Sequence, residues 1–371
     1  MRSRNLKTVA TIFGLMAVIW SCAQVGAHTD SIMAESCLTR SRVRGDTLTI
    51  GAVGDIMLGS WLIDIIGTHG PAYPYSDVLP ILQRADLLFG NLEAPFLADT
   101  SGVERAEKTY TFAVPPARAA VLTAGGFNLV TLANNHILDY GFAGLTGTWA
   151  TLDSIGIPHV GTGRTRNEAH THTTVEKDGN RVAFLAYNHT FPAQFWATGQ
   201  RAGTAHASDE GLAREVRRAD READIVIVAF HWSGELLETP REYQQVLARI
   251  AIDNGADLVV GHHPHTLQPL EWYRERLIAY SLGNFIFGSY TPVARGAALM
   301  VKFVDDAPVA AELHPLDVNN LRREFRPLPL EYSMWSAIES GVLTAMADSA
   351  AAGHDGIQVD RKGFILLLPP L

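Results

Sequence analysis

Asp257-Leu258-Val259-Val260-Gly261-His262-His263-Pro264-His265 is the stretch from which the fold can be read. Its first half is a continuous aliphatic run, the pattern of a strand buried on both faces. Its second half places three imidazoles within four residues, directly after that run. Packing three histidines there costs too much desolvation for a core device, and His263 and His265, two positions apart, can point the same way from an extended loop. Imidazoles so grouped are metal donors.

The same layout recurs along the chain, a short apolar run stopping at polar residues. Residues 47–53 run into Gly54-Asp55, 86–89 into Gly90-Asn91-Leu92-Glu93, 127–132 into Asn134-Asn135-His136, and 224–230 into His231-Trp232. Residues 182–187 end at Asn188-His189 and 276–280 at Ser281-Leu282-Gly283-Asn284, with further strands expected over 285–287 and 297–304. Helical patterns lie between. Ser208-Asp209 opens one, Pro115-Pro116 opens another that closes at Gly125-Gly126, and Thr239-Pro240 offers an N-cap and a first-turn proline for a third, running through Tyr243 and Leu247 to Gly255. Alternating strands and helices predict a layered α/β fold with much parallel sheet. Ligands in such folds bind beyond the carboxyl ends of the strands, which puts the polar clusters together at one edge of a sheet.

Asp55, Glu93, Asn135, His231, His263 and His265 supply the hard oxygens and imidazoles that divalent zinc, manganese, iron or magnesium ions prefer. Each alone has an ordinary explanation: a turn aspartate, a solvated glutamate, a tight Asn-Asn turn. Brought to one edge they make a metal site, where activated water is the nucleophile and His136 the general acid or anion-binding group. Trp232, Glu235 and Tyr280 are candidate substrate contacts, with buried packing the plainer reading for the two aromatics.

Composition bounds the rest. With 371 residues, 47% hydrophobic and 19% charged, the chain can bury a sizeable core, which excludes a disordered or collagen-like protein. Thirty basic residues against thirty-nine acidic ones argue against nucleic acid as a partner. Arg214, Arg217, Arg218 and Arg221 on one predicted helix are a candidate basic patch, with a solvated helix face as the plainer reading. Residues 1–27 read as a signal peptide, with Arg2, Arg4 and Lys7 before an apolar run over 9–20 too short to span a bilayer. Ile19-Trp20-Ser21-Cys22 resembles a lipobox with Cys22 as lipid acceptor. Cleavage after Val25-Gly26-Ala27 and an uncleaved anchor are the alternatives. Removing the three leader cations takes the net charge from −9 to −12. Cleavage also leaves Cys37 without an intrachain partner. Residues 28–45 form a tether, 46–305 the main domain, and 306–371 a C-terminal extension packed on it.

Gly54-Asp55-Ile56-Met57, Gly90-Asn91-Leu92-Glu93, Leu132-Ala133-Asn134-Asn135-His136 with Asp139 and Gly141, His231-Trp232, Gly261-His262-His263-Pro264-His265 and Tyr280-Ser281-Leu282-Gly283-Asn284-Phe285 occur in that order. The set resembles the CapA family of bacterial capsule and poly-γ-glutamate synthesis proteins, related to calcineurin-like metallophosphoesterases. That resemblance implies a four-layer α/β/β/α metallophosphoesterase-like sandwich with a two-metal centre. It implies Asp55, Asn135, His231 and two of the three clustered histidines as ligands, and His136 with Asp139 as the catalytic pair. Asn91 and His262 are further ligands or supports, and Asn134 and Asn284 join Trp232 and Glu235 as substrate contacts. Two positions depart from the phosphoesterase pattern: Met57 fills a ligand histidine's place, and Asn91 or Glu93 stands for the metal-bridging aspartate. Thioether is a poor ligand for such ions, so a mononuclear site and two ions bridged by Glu93 are both open.

The resemblance implies an envelope-anchored protein in synthesis, export or attachment of an anionic surface polymer. Its partners are that polymer or its membrane synthase and export components, with the membrane reached through the lipid anchor. The residues imply metal-dependent hydrolysis of a phosphoester or amide. The competing readings are a non-catalytic polymer-binding or synthase-partner protein and a generic secreted metallophosphodiesterase.

Overall fold

The computed structural model describes residues 47–290, 295–337, 340–351, 356–360 and 362–369. The leader, the tether, Cys22 and Cys37 lie outside the described residues. Two stacked sheets form the body. The first runs, in spatial order, Ile357–Val359, Ile365–Leu367, Ala307–Asp317, Gly296–Val304, Thr47–Met57, Leu87–Leu92, Leu129–Thr131 and His159–Val160. The second runs Leu267–Tyr273, Arg276–Leu282, Leu258–His262, Ile225–His231, Asn180–Asn188 and Thr173–Lys177.

Strand alternation explains the layering, because successive side chains leave opposite faces of a sheet. Ile50, Ala52, Leu87 and Phe89 of the first sheet meet Val182, Phe184, Ile225 and Ile227 of the second in one shared core, and Phe89 packs edge-on against Phe184 at 5.3 Å. Their sequence neighbours face outward. Val53, Leu88 and Val130 pack under the Ala120–Gly125 and Gly141–Ser154 helices, while Ala183, Val226 and Val228 pack under Asp209–Glu222 and Glu242–Asp253. Helix, sheet, sheet and helix are the four layers expected.

The helix starts follow local chemistry. Ser208 accepts the Gly211 N–H and caps Asp209–Glu222, as its position suggests. The helix expected after Thr239-Pro240 begins later, at Glu242, with Arg241 as the N-cap residue and the Gln244 side chain accepting the Arg241 N–H at 2.8 Å. Gln244 thereby satisfies one of the free N–H donors at the helix start.

The expectation of one sheet edge is also corrected. Asp55, Asn91 and Glu93 end strands of the first sheet, whereas His231 and His262 end strands of the second. The strands Thr47–Met57, Leu87–Leu92 and Leu129–Thr131 are mutually parallel, as are Asn180–Asn188, Ile225–His231 and Leu258–His262, so each group gathers its carboxyl ends. At Gly283 the chain leaves the second sheet, and Asn284–Phe287 pairs with Thr47–Met57, setting Asn284 beside Asp55.

Candidate metal centre

The cluster forms where the two sets of carboxyl ends meet. Asp55 is fully buried: one carboxylate oxygen accepts the Asn91 amide at 2.8 Å, the other the His263 backbone N–H at 3.1 Å and approaches His265 Nδ1 at 3.2 Å. Burial works against its charge, but the hydrogen bond and positive charge of His265 hold Asp55 below the usual carboxylate range. Glu93 contrasts with it. Both of its carboxylate oxygens are buried without a hydrogen-bond partner, and burial, with the neighbouring Asp55 charge, pushes it well above the ordinary glutamate range. An unpaired buried carboxylate is costly unless something cationic answers it.

Imidazoles surround that carboxylate. His231 Nε2 lies 3.4 Å from Glu93 Oε1 and 2.9 Å from Asn135 Oδ1, and His265 Nε2 lies 3.9 Å from the same Glu93 oxygen. His263 Nδ1 is buried with no partner. Desolvation and neighbouring histidines hold His231 well below its ordinary value and His263 at about 3, so both are neutral lone-pair donors. His265 differs: burial opposes its charge, yet Glu93 and Asp55 raise it to about 10. The proton it carries answers the same two carboxylates that a divalent ion would, and metal binding at such ligands releases protons.

Two ligand sets follow, Asp55, Glu93 and His265, and Glu93, His231 and His263, with donor atoms in each set within 4.8 Å of one another. Glu93 belongs to both. His263 and His265 are held at positive φ, 93° and 54°, backbone that non-glycine residues seldom adopt and that surrounding structure must enforce. The donor set, the orphaned Glu93 oxygens and the unpaired His263 nitrogen fit a divalent ion.

The departures from the phosphoesterase pattern are resolved by contact. Met57 Sδ accepts the Gly59 N–H at 3.2 Å, and the side chain packs in the outer core of the first sheet. Asn91 donates to Asp55, while its carbonyl oxygen accepts from Thr131 and Asn134, so its amide braces the cluster. Glu93 is the carboxylate common to both ligand sets.

The sequence-derived substrate contacts are largely displaced. Trp232 is 0% exposed, stacks on Phe230 at 4.4 Å and donates to the Tyr280 carbonyl, so it is core and no substrate contact. Tyr280 spends its hydroxyl on Glu271. Asn134 is also fully buried, its amide donating to Asn91 and the Leu92 carbonyl and its oxygen accepting from His136 and Ile137 backbone. It shapes the loop that presents Asn135 and His136. Asn284 accepts from His265 Nδ1 at 2.8 Å and orients that ring. His262 turns its Nε2 to the Val53 carbonyl and ties the two sheets together. Glu235 stays exposed on the loop after His231. Arg214 and Arg218 pair with Glu215 and Glu222 of their own helix, and Arg217 bonds to Asn254, so three of the four arginines of the candidate patch are already engaged.

His136 and Asp139 are adjacent, with Nδ1 2.7 Å from Asp139 Oδ2, leaving Nε2 for a substrate. Lys108, from a loop to which the sequence assigned no role, completes this unit. Its ammonium donates to Asp139 Oδ1 at 2.7 Å and to the Asn135 carbonyl, and lies 3.1 Å from His136 Nδ1. Phe112, whose N–H also donates to Asp139, covers the His136 ring at 4.6 Å. Burial, reinforced by Lys108 and partly offset by Asp139, lowers the pKa of His136. Lys108→Met should leave bound metal unchanged and lower turnover about ten-fold. The His136 limb of the pH–rate profile should move upward, because a neighbouring cation is lost. Unchanged turnover and pH profile would leave Lys108 a purely structural residue.

Comparison with known proteins places this architecture. Residues 49–289 match the family described as "Bacterial capsule synthesis protein PGA_cap". The chain belongs to the PGA_cap family. Among relatives, the capsule biosynthesis protein CapA of Bacillus anthracis is 30% identical over 323 residues, covering 85% of this chain and 77% of that protein. The PGA biosynthesis protein CapA of Bacillus subtilis (strain 168) is 31% identical over 288 residues, covering 77% and 74%. A probable polyglutamine synthesis accessory protein of Mycobacterium tuberculosis (strain ATCC 25618 / H37Rv) is 29% identical over 272 residues, covering 67% and 71%. Among solved structures, a 5'-nucleotidase precursor from Thermus thermophilus aligns at TM-score 0.44 and 13% identity over 85% of this chain and 61% of that one, a distant likeness of fold from which no function follows. The capsule-family membership is what the six motifs imply.

Proposed function

We propose that this PGA_cap protein is a metal-dependent hydrolase acting on an anionic surface polymer or a precursor of it, at the outer side of the cytoplasmic membrane. The observation that carries the reading is Glu93: a buried carboxylate with neither oxygen hydrogen-bonded, common to two sets of ligand-competent side chains. Asp55 and His265 would hold one ion, His231, His263 and Asn135 a second, with Glu93 between them. A divalent ion supplies Lewis-acid activation of water and of the bond to be cleaved. His136, oriented by Asp139 and Lys108, would in its imidazolium form deliver the Nε2 proton to the leaving group, keeping Nδ1–H on Asp139. The family supports a polymer as substrate, and the relatives' names divide between PGA and polyglutamine. The leader pattern over residues 1–27, with Cys22 as lipid acceptor, supports envelope anchoring, and a membrane synthase or exporter is the partner such a location favours.

The test is metal removal and return. Chelation should abolish cleavage of γ-linked oligomers or a chromogenic phosphodiester, and manganese should restore it. At a hundred-fold excess over the dissociation constant, returned metal should stabilise the fold by about 2.7 kcal/mol, raising the Tm by about 5 °C. Turnover of the phosphodiester alone would select the generic phosphodiesterase reading. Met57, which withdraws one expected ligand, favours the non-catalytic polymer-binding reading, and a protein that takes up no stoichiometric metal would select it.

A further inference from the structure

A cleft of about 490 Å³ opens beside the metal-ligand cluster, and Asn135 and His263 form part of its wall. The opposite wall comes from the loop after the Asn180–Asn188 strand and from the start of the Glu242–Asp253 helix. Its aromatic side is built: Trp196 stacks on His206 at 3.7 Å and 13°, and His206 in turn contacts His189 at 4.3 Å. His206 Nδ1 donates to the Asn188 carbonyl, which fixes that ring, and His189 Nε2 is buried without a hydrogen-bond partner. Phe191 is 77% exposed, 5.9 Å from Trp196. An aromatic so exposed beside a cleft is apolar surface available to a ligand.

The charge of the lining is unlike that of the chain. Thirty-nine acidic residues outnumber thirty basic ones overall, yet the lining holds no carboxylate and one permanent cation, Arg241. Among the described residues Arg241 makes no ion pair, whereas Arg249 and Arg276 pair with Glu271 and Asp257. A guanidinium presents its donors as a planar fork matched to a carboxylate. A buried acceptor, an aromatic wall and an unpaired fork fit a repeating unit with an amide N–H, an apolar stem and a carboxylate.

We infer that this cleft is the subsite for the polymer unit next to the cleaved bond, and that Arg241 selects units carrying a free carboxylate over their neutral amides. The inference rests on the hydrolase reading above for the placement of the cleaved bond, while its test reads binding. Full-length metal-loaded protein would be titrated calorimetrically, at fixed ionic strength, with tetramers of γ-linked glutamate and of γ-linked glutamine. The two share a backbone and differ in charge. Wild type should bind the anionic tetramer about ten-fold more tightly, against the protein's own net negative charge. Arg241→Ala should abolish the preference with metal content and neutral-tetramer affinity unchanged, Arg241→Lys should recover part of it, and Phe191→Ala should weaken both tetramers alike. No binding, equal affinity in wild type, or a preference that survives Arg241→Ala would overturn the assignment. Selective binding without metal uptake or cleavage would sink the hydrolase reading and leave the cleft standing. Cleavage without selectivity would do the reverse.

Discussion

Glu93→Gln is expected to empty the metal centre while making the metal-free protein more stable. The substitution keeps the shape of the side chain and removes the charge that both ligand sets share. Losing one anionic ligand from each set should weaken metal affinity at least ~100-fold and lower turnover about 1,000-fold or more. Stability should move the other way. In the metal-free fold the carboxylate is buried with both oxygens unpaired, so replacing it by a neutral amide should recover on the order of 1 kcal/mol or more.

The pH dependence separates this from simple damage. Burial raises the Glu93 pKa above its unfolded value, so the folded state keeps a proton that the unfolded state releases. Its contribution is fully present below the unfolded glutamate range, and it is lost as pH rises through the folded value. Metal-free wild type should therefore lose stability with rising pH above ~4.3, and metal-free Glu93→Gln should lack that component. Metal content by elemental analysis and denaturant titrations at several pH values check both halves. A variant that binds metal as wild type does, or a metal-free variant less stable than wild type, would refute the assignment.

Gly283→Ala is the second large effect, and it acts through the backbone. Gly283 sits at φ +66°, where the chain crosses from one sheet to the other, and an added Cβ would stand 1.9 Å from the Arg295 carbonyl oxygen. That oxygen accepts the Asn284 N–H, and the Gly283 carbonyl accepts the Asp55 N–H at 2.9 Å. Neither contact can yield without displacing Asp55 or Asn284. The expected loss is about 3 kcal/mol or more, a Tm drop of roughly 5 °C or more, with metal binding impaired. Gly102→Ala is the control. Gly102 has φ +72° with nothing within 4 Å of its added Cβ, so backbone strain alone should cost about 1 kcal/mol. Equal losses in the two variants would show that the crossing is not sterically tight.

Much of the cluster was legible because its chemistry is local. His263 and His265 follow an aliphatic strand at a spacing only a loop would hold, and Asp55, Glu93, Asn135 and His231 each stand where an apolar run stops. Side chains whose task is set by remote partners could not be assigned from the sequence. Trp232 bonds across 48 residues to Tyr280, and Asn134 across 43 to Asn91, so nothing near either one in sequence reveals that its polar atoms are satisfied. Lys108 was missed for the same reason. Its loop lacks a hydrophobic period, and it becomes part of the site only when Asp139 and His136, about thirty residues on, fold back over it.

The sequence by itself determined the layered α/β class, the strand ends that carry chemistry, the donor types and the capsule-family resemblance. These depend on period, residue type and order along one chain. Only the tertiary structure decided that the donors come from two sheets, that Glu93 is the shared and unpaired carboxylate, and that Asn91, Asn284 and Asn134 brace the ligands. Burial and hydrogen-bond partnership are properties of what surrounds a group, and here the surroundings are assembled from strands as far apart as Asp55 and His263.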